Sequence, residues 1–486
     1  MNKILFTHSY FLQFDPKQWS LQQPYPPLGT LYAAALMRDK GYYVSLFDTM
    51  FVTEPNEVMA TIDKLSPQLF VVYDDGFNYL TKMCLTNMRE AAFNMCKLAK
   101  ERGCTVIVSS SDSTDRFEEY LAEGADFVII GEAEQTLLEL ADHLKTGDEE
   151  YSHIRGIAYT DNGKTIKNVS RPVLKELDTL PLPAWDLLNI NPYRDAWMKS
   201  AGYLSLNIGT TRGCPFKCNW CAKPIYGNRY NSRSPQNVVK EIKLLKGNFG
   251  IDHIWFCDDI FGLKPGWVQE FAGLLKNEKI QIRFKIQSRA DLLTEPEIVE
   301  ALADAGCENA WIGAESGSQK ILDAMDKGIT VQQIRQATHN MKAYGIKPSF
   351  FIQFGYPGEE KEDIALTINM INELLPFEIG ISVSYPLPGT VFYERVKADL
   401  KKKTNWTDSD EMALMFTNNF PASYYKQLHS YVHKNYHMHL AKNSLLKLVK
   451  NPFKLSFGGI KKALSFLYYT PATFIEKFKL DQLEKA

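Results

Sequence analysis

Several things that this 486-residue chain has little of narrow what it can be. Cysteine is sparse: eight residues, five of them scattered singly, cannot supply the disulfide framework of a small secreted domain. Long apolar runs are missing, since Lys, Arg, Asp or Glu interrupts every stretch before it reaches the ~20 residues that cross a bilayer. Met1–Phe6 runs straight into a strand-like segment without the apolar core and cleavage site of a secretory leader, so a cytoplasmic location is expected. Net charge is nearly absent, 55 Lys and Arg against 57 Asp and Glu, which gives no field for nucleic acid, and no such partner is expected. What remains, 45% apolar and 23% charged residues without low complexity or short repeats, suits a folded aqueous protein of roughly two to four domains. The charge imbalance is local: residues 1–148 carry 12 basic and 21 acidic side chains, residues 441–486 carry 9 basic and 3 acidic.

Short β-rich runs alternate with helical periodicity at the start of the chain, the pattern of βαβ units and a parallel sheet. Strands are expected at Lys3–Thr7, Tyr43–Asp48, Leu69–Tyr73, Thr105–Ser109 and Phe127–Ile130. Together they predict a flavodoxin-like (Rossmann-type) α/β domain over residues 1–148, with ligands at the carboxyl ends of its strands. Residues 149–195 read as a linker, a hairpin around Asp161-Asn162-Gly163 followed by a proline-broken segment. Alternation returns with strands at Tyr203–Gly209, His253–Cys257, Arg283–Gln287, Asn309–Gly313, Ser349–Phe354 and Gly380–Tyr385. These predict a partial (β/α)6 barrel within residues 196–400, whose chemistry belongs on the loops after the strands. Residues 401–486 read as a helical, aromatic and basic C-terminal region.

The three clustered cysteines lie in Arg212-Gly213-Cys214-Pro215-Phe216-Lys217-Cys218-Asn219-Trp220-Cys221, on the loop after the first barrel strand. Three thiolates on one short loop can hold three irons of a 4Fe-4S cluster and leave the fourth open to an outside ligand. A structural zinc ion completed by Cys257 or His253 is the alternative for the same thiols. The C-x3-C-x2-C loop resembles that of the radical S-adenosylmethionine (SAM) superfamily. That resemblance implies that the open iron chelates SAM, that reduction cleaves it to a 5′-deoxyadenosyl radical, and that Trp220 lies beside the adenine. The later strand ends, Asp258-Asp259-Ile260-Phe261, Gln287-Ser288-Arg289, Gly313-Ala314-Glu315-Ser316-Gly317 and Phe354-Gly355-Tyr356-Pro357-Gly358-Glu359, are similar to those of the cobalamin-dependent members. The similarity implies that Asp258 or Asp259 orients the SAM amino group, that Ser288, Arg289 and Glu315 hold its carboxylate and ribose, and that Gly355 lets it approach. Readings without a ligand are a helix cap for the aspartates, an Arg289 ion pair with Asp291 or Glu315, and a turn at Gly355.

The first domain resembles the cobalamin-binding domain that precedes the radical core in those proteins. The implied corrin contacts are Pro27, Leu28, Gly29 and Thr30 opening the first helix, Asp75 after the third strand, Ser110 and Ser111 in a serine-rich loop where relatives carry glycines, and Gly131-Glu132. The D-x-H-x-x-G motif is absent, so the implied cobalamin is base-off and His-off. The resemblance implies an iron-sulfur radical SAM enzyme, a cobalamin-dependent methyltransferase acting on an unactivated carbon of a small-molecule or lipid substrate. An external one-electron reductant of flavodoxin or ferredoxin type would serve it. Radical oxidation or cyclisation without methyl transfer, as in the anaerobic magnesium-protoporphyrin ester cyclase group, is the alternative; a non-catalytic corrinoid sensor is a more distant one. In the tail, lysines interleave with Leu, Phe and Val from Leu445 to Phe466, which suits either packing on the barrel or a peripheral membrane contact. His429, His433 and His437 share i, i+4 spacing, and with His439 they read as a packing or solvated face, since no carboxylate partner for a metal is evident.

Overall fold

The computed structural model describes residues 2–74, 76–77, 85–400, 405–409, 412, 414–450 and 457–484. Among the described residues, the first sheet contains the parallel strands β1 (Lys3–Thr7), β2 (Tyr43–Phe47), β3 (Leu69–Tyr73), β4 (Thr105–Ser109) and β5 (Phe127–Ile129) in the order 2-1-3-4-5. This is the flavodoxin-like arrangement, and the strand ends fall close to the expected ones. The hairpin expected in a linker instead belongs to this sheet: β6 (Ile157–Asp161) pairs antiparallel with β5, and β7 (Lys164–Lys167) closes the edge. The outer backbone groups of β5 need partners, and β6 satisfies them while burying Ile157 and Ala158 completely.

The second half begins with β8 (Ser205–Ile208), followed by a two-residue pair, β9 (Thr211–Arg212) and β10 (Asn231–Ser232), that brackets the cysteine loop. Then come β11 (His253–Phe256), β12 (Arg283–Ser288), β13 (Cys307–Glu315), β14 (Lys347–Phe354) and β15 (Glu378–Val383). The six longer strands are all parallel, in the order β15-β14-β13-β12-β11-β8, the partial barrel that the alternation predicts. Local signals start the intervening helices: Ser234 caps Pro235–Phe249 by accepting from Asn237 N, and Thr330 and Gln333 form a reciprocal capping box on Val331–Ala343.

Burial alternates along these strands. On β12, Phe284, Ile286 and Ser288 are buried, whereas Lys285 and Gln287 keep partial exposure; on β15, Ile379, Ile381 and Val383 are buried and Gly380 and Ser382 are not. A parallel sheet covered on both faces would bury both sets, so one face of this sheet keeps partial exposure at β12 and β15.

In the C-terminal region, helices Ala422–Lys450 and Phe466–Leu483 pack against each other, joined by Gln427 and Lys434 to Glu476 and by the stacked rings of His437 and Tyr469. Residues 405–409 tie this region to the first domain: Arg89 and Arg116 donate to Asn405, Thr86 N to the Trp406 carbonyl, and Ser409 to Asp15. No described helix is long and apolar enough to cross a membrane.

Candidate active site

The cysteine loop leaves the carboxyl end of β8 through a dense set of buried contacts. Asp258, after β11, is 1% exposed and accepts from Thr210 N (2.6 Å), Thr211 N (2.7 Å) and Thr210 Oγ1 (2.6 Å). Burial pushes its pKa up to about 6, although the threonine hydrogen bonds oppose the shift. Both oxygens are thus committed to the start of the loop, so Asp258 anchors the loop where the sequence reading has it orienting SAM. Arg212 follows, 4% exposed, with Nη1 2.5 Å from Glu132 and Nη2 2.6 Å from Glu134. Its guanidinium lies beside the rings of Tyr226, Tyr32 and Phe77. Gly213 has φ +79°, and a Cβ there would lie 2.5 Å from the Arg229 carbonyl oxygen, so only glycine makes this turn.

Cys214 is buried, and Cys218 and Cys221 are partly exposed. Burial raises the Cys214 thiol pKa, while the Lys223 ammonium pulls it the other way. Lys223 also braces the loop by donating to the Phe216 carbonyl and Asn228. The sequence reading overlooks the loop's hub, Asn219. Its backbone N donates to Met325 O, its amide donates to Ala324 O and Asp326, its Oδ1 accepts from Tyr356, and its carbonyl accepts from Phe392 N. The one available signal is a short polar side chain in the middle of a cysteine and aromatic loop, which burial makes costly unless it is bonded.

Around this loop the strand ends supply the remaining candidates. Trp220 carries a buried Nε1 that has no hydrogen-bond partner among the described residues, and the Lys327 ammonium lies 5.7 Å from its ring centre. Glu315, at φ +56° on an irregular end of β13, pairs with Lys327 at 2.6 Å. A side chain at Gly313 would collide with this pair, at 2.5 Å from both partners. Arg289 pairs with Asp291 (3.0 Å), donates to Gly328 O, and stacks on Phe216 of the cysteine loop with its guanidinium carbon 3.6 Å from the ring centre. Ser288 donates to Phe261 O. Gly355, at φ +77°, donates its N–H to Glu359 Oε2 (2.6 Å), while Glu359 is fully buried and its pKa is pushed up to about 8 by that burial. Asp259 is partly exposed and lines a small cavity described below.

The first domain meets the loop at a seam. Gly76 after β3 and Ser111 after β4 line a small cavity with Asp259 and residues 222–226, which follow the last cysteine. A Cβ on Gly131 would sit 3.7 Å from Ile225 O, within van der Waals reach of the same segment. The serine-rich loop is largely satisfied internally: Ser110 and Ser113 form a reciprocal capping box, and Thr114 donates to Ser110 O and accepts from Gly131 N. Ser111 Oγ alone of these hydroxyls is buried without a partner among the described residues. Glu132, read as a corrin contact, gives its carboxylate to Arg212 and Leu174 N, and so is an interdomain tie. Leu28, Gly29 and Thr30 are the buried first turn of the helix that Pro27 opens, with Thr30 Oγ1 bonded to Tyr73 O. Asp75 lies outside the described residues.

The donor set fits a 4Fe-4S cluster, with three thiols on one loop. The residues that would complete a zinc site are engaged elsewhere: Cys257 donates to Ile208 O, and His253 Nδ1 bonds Ser205 at the far end of β11. At the seam, Ser111, whose hydroxyl is unmet, shares a small cavity with Gly76, and a polar group of a ligand could meet it there. Three C-terminal histidines pack as a ladder, His429 on His433 with ring centres 4.4 Å apart, His433 next to His437, and His437 on Tyr469, and burial holds His433 down to about 3.

Comparison with known proteins places this geometry. Residues 208–371 match the Radical SAM superfamily. An uncharacterized methyltransferase of Pyrococcus horikoshii is 29% identical over 388 residues, covering 78% of this chain and 81% of that protein. The anaerobic magnesium-protoporphyrin IX monomethyl ester cyclase of Synechocystis is 24% identical over 328 residues, 66% of this chain and 63% of the cyclase. The cobalamin-dependent S-adenosylmethionine radical enzyme OxsB, solved with aqua-cobalamin bound, shares the fold at a TM-score of 0.72 and 18% identity over 98% of this chain and 72% of that one.

Proposed function

We propose that this chain, a radical SAM protein related to cobalamin-dependent radical SAM methyltransferases and to magnesium-protoporphyrin cyclases, methylates an unactivated carbon of its substrate. In this reading Cys214, Cys218 and Cys221 hold a 4Fe-4S cluster, and Ser111, Gly76 and Gly131 border the cobalamin. When bound, the cluster supplies the electron that cleaves SAM to a 5′-deoxyadenosyl radical, and cobalamin supplies the methyl group.

The protein's own residues position these groups. Asp258 and Asn219 set the path of the cysteine loop, and Lys327 orients Glu315, whose carboxylate would accept from the ribose hydroxyls of SAM. Arg289, steadied by Asp291 and stacked on Phe216, would hold the carboxylate of SAM. Trp220 lines the adenine side with its unmet indole N–H.

One observation supports a shared task for the two halves above all others: Arg212, two residues before Cys214, is buried between Glu132 and Glu134 of the first domain. The cluster loop is thereby registered to the carboxyl edge of the first sheet, where a second ligand would reach the same substrate. A second reading, radical oxidation or cyclisation without methyl transfer, is favoured by one feature, the internal bonding of Ser110, Ser113 and Thr114, which leaves few hydroxyls for a corrin tail.

The test is anaerobic reconstitution with iron and sulfide, optical and paramagnetic resonance spectra with and without hydroxocobalamin, and assay of 5′-deoxyadenosine after reduction by dithionite or flavodoxin. A SAM-perturbed cluster signal with bound base-off corrin supports methyl transfer. A cluster that makes 5′-deoxyadenosine while binding no corrin moves the function to the second reading, and failure to bind a cluster overturns both.

A further inference from the structure

The last helix of the chain is built inside out. On Phe466–Leu483 the residues turned toward the preceding long helix include Thr473 and Glu476, both 7% exposed, with Glu476 satisfied by Gln427 and Lys434. The opposite face, at helical spacing, carries Leu467 (76% exposed), Phe474 (71%), Ile475 and Phe478 (64%), with Tyr468 beside them and Leu464 continuing the patch onto the helix Phe457–Leu464. Single exposed apolar residues are ordinary, but a contiguous stripe of large ones on one helix face marks an interaction surface.

The charge around the stripe selects its occupant. Lys461 and Lys462, on the same short helix as Leu464, are exposed and have no ion-pair partner among the described residues. The acidic residues of the same region are already engaged: Glu476 by Lys434, Asp481 by Lys477 and Glu484 by Lys361. An apolar stripe continued by a helix that carries the unpaired Lys461 and Lys462, with its acids neutralised from within, matches an anionic bilayer surface, into which aromatic and leucine side chains insert while lysines meet lipid phosphates.

We propose that helices Phe457–Leu464 and Phe466–Leu483 form a peripheral docking face for anionic membranes, lying on the bilayer without crossing it. The proposal does not depend on the reaction assigned above. It is tested by flotation of the full-length purified protein with vesicles of phosphatidylcholine alone or with roughly 30 mol% phosphatidylglycerol. The expected result is flotation with the anionic vesicles only, weakened by high salt as screening requires.

Two variants at solvent-facing positions separate the contributions. F474S/F478S should lower the bound fraction about tenfold at any salt, and K461E/K462E should lower it mainly at low salt, both with unchanged circular dichroism and cluster absorbance. Protein that stays at the bottom of the gradient with anionic vesicles overturns the proposal. So does a dimer in solution that F474S/F478S dissolves while vesicle binding is absent, because the stripe would then join two copies of this chain.

Discussion

The two sheets bring the carboxyl ends of their parallel strands to one seam but dispose of the polar groups there differently. On the barrel side, strand ends far apart in sequence converge on the cysteine loop: Asp258 grips its start, Arg289 stacks on its middle, and Asn219 ties it to residues 324–326 and Tyr356. On the first-domain side, most candidate groups bond to their own neighbours or to the barrel. Thr30 bonds to Tyr73 O, Ser110 to Ser113, and Glu132 to Arg212, which leaves the Ser111 hydroxyl unmet. The cysteine loop is held in one geometry by buried contacts, whereas the facing edge of the first domain keeps little unmet polarity. On the proposed function, preorganisation is concentrated at the loop that would hold the cluster.

Experiments can break this contrast at several strengths. The largest effect is expected from Cys214→Ala, which removes one of the three thiols proposed to hold the cluster: cluster absorbance and 5′-deoxyadenosine formation should both be abolished while the chain stays folded by circular dichroism. Arg212→Met attacks the tie between the halves. Removing the cation from two buried carboxylates should cost about 3–5 kcal/mol in denaturant unfolding, and the triple variant with Glu132→Gln and Glu134→Gln should recover much of the loss. An unchanged unfolding midpoint in the single variant would show that the two halves are not registered through this residue.

A pH series tests the glycine-rich turn after β14. Glu359 has a pKa near 4.5 in an unfolded chain and about 8 when buried. Between those values the folded state keeps a proton that the unfolded state has released, so stability falls as pH rises through that window and levels off above it. Glu359→Gln is neutral throughout and should lack this slope; parallel melting curves for the two proteins would refute the buried, protonated carboxyl. The smallest effect concerns Ser111. Replacing its unmet hydroxyl in Ser111→Ala should change unfolding stability by less than about 1 kcal/mol. The same substitution should weaken hydroxocobalamin binding several-fold in a spectrophotometric titration, and undiminished binding would separate the serine loop from the corrin.

Much of the architecture is legible along the chain because its causes are local. The strands β1, β3 and β4 begin and end where apolar runs meet turn residues, and the three-cysteine loop stands out by its spacing and by its resemblance to the radical SAM loop. The hairpin at Asp161-Asn162-Gly163 is equally legible, but its membership of the first sheet is not, because pairing with β5 depends on which edge is left open. The roles of Asp258, Glu132 and Asn219 escape the sequence for the same reason. A carboxylate in a strand-end motif reads as a ligand group, and an amide in a cysteine loop goes unread, until their buried partners are known, and those partners lie 48, 80 and 137 residues away.

The C-terminal helix shows the limit most sharply. Its mixture of Phe, Leu, Glu and Lys has no clear amphipathic sense in one dimension, and only packing against the helix Ala422–Lys450 decides that Glu476 faces in and Phe474 out. The sequence by itself determined the βα alternation, the position of the cysteine loop and the glycine that turns it, since backbone periodicity and steric limits act over a few residues. The tertiary structure alone decided which charges are buried together, which half of the molecule holds the loop in place, and which apolar face is left to solvent, because desolvation and charge pairing depend on neighbours that only the folded chain assembles.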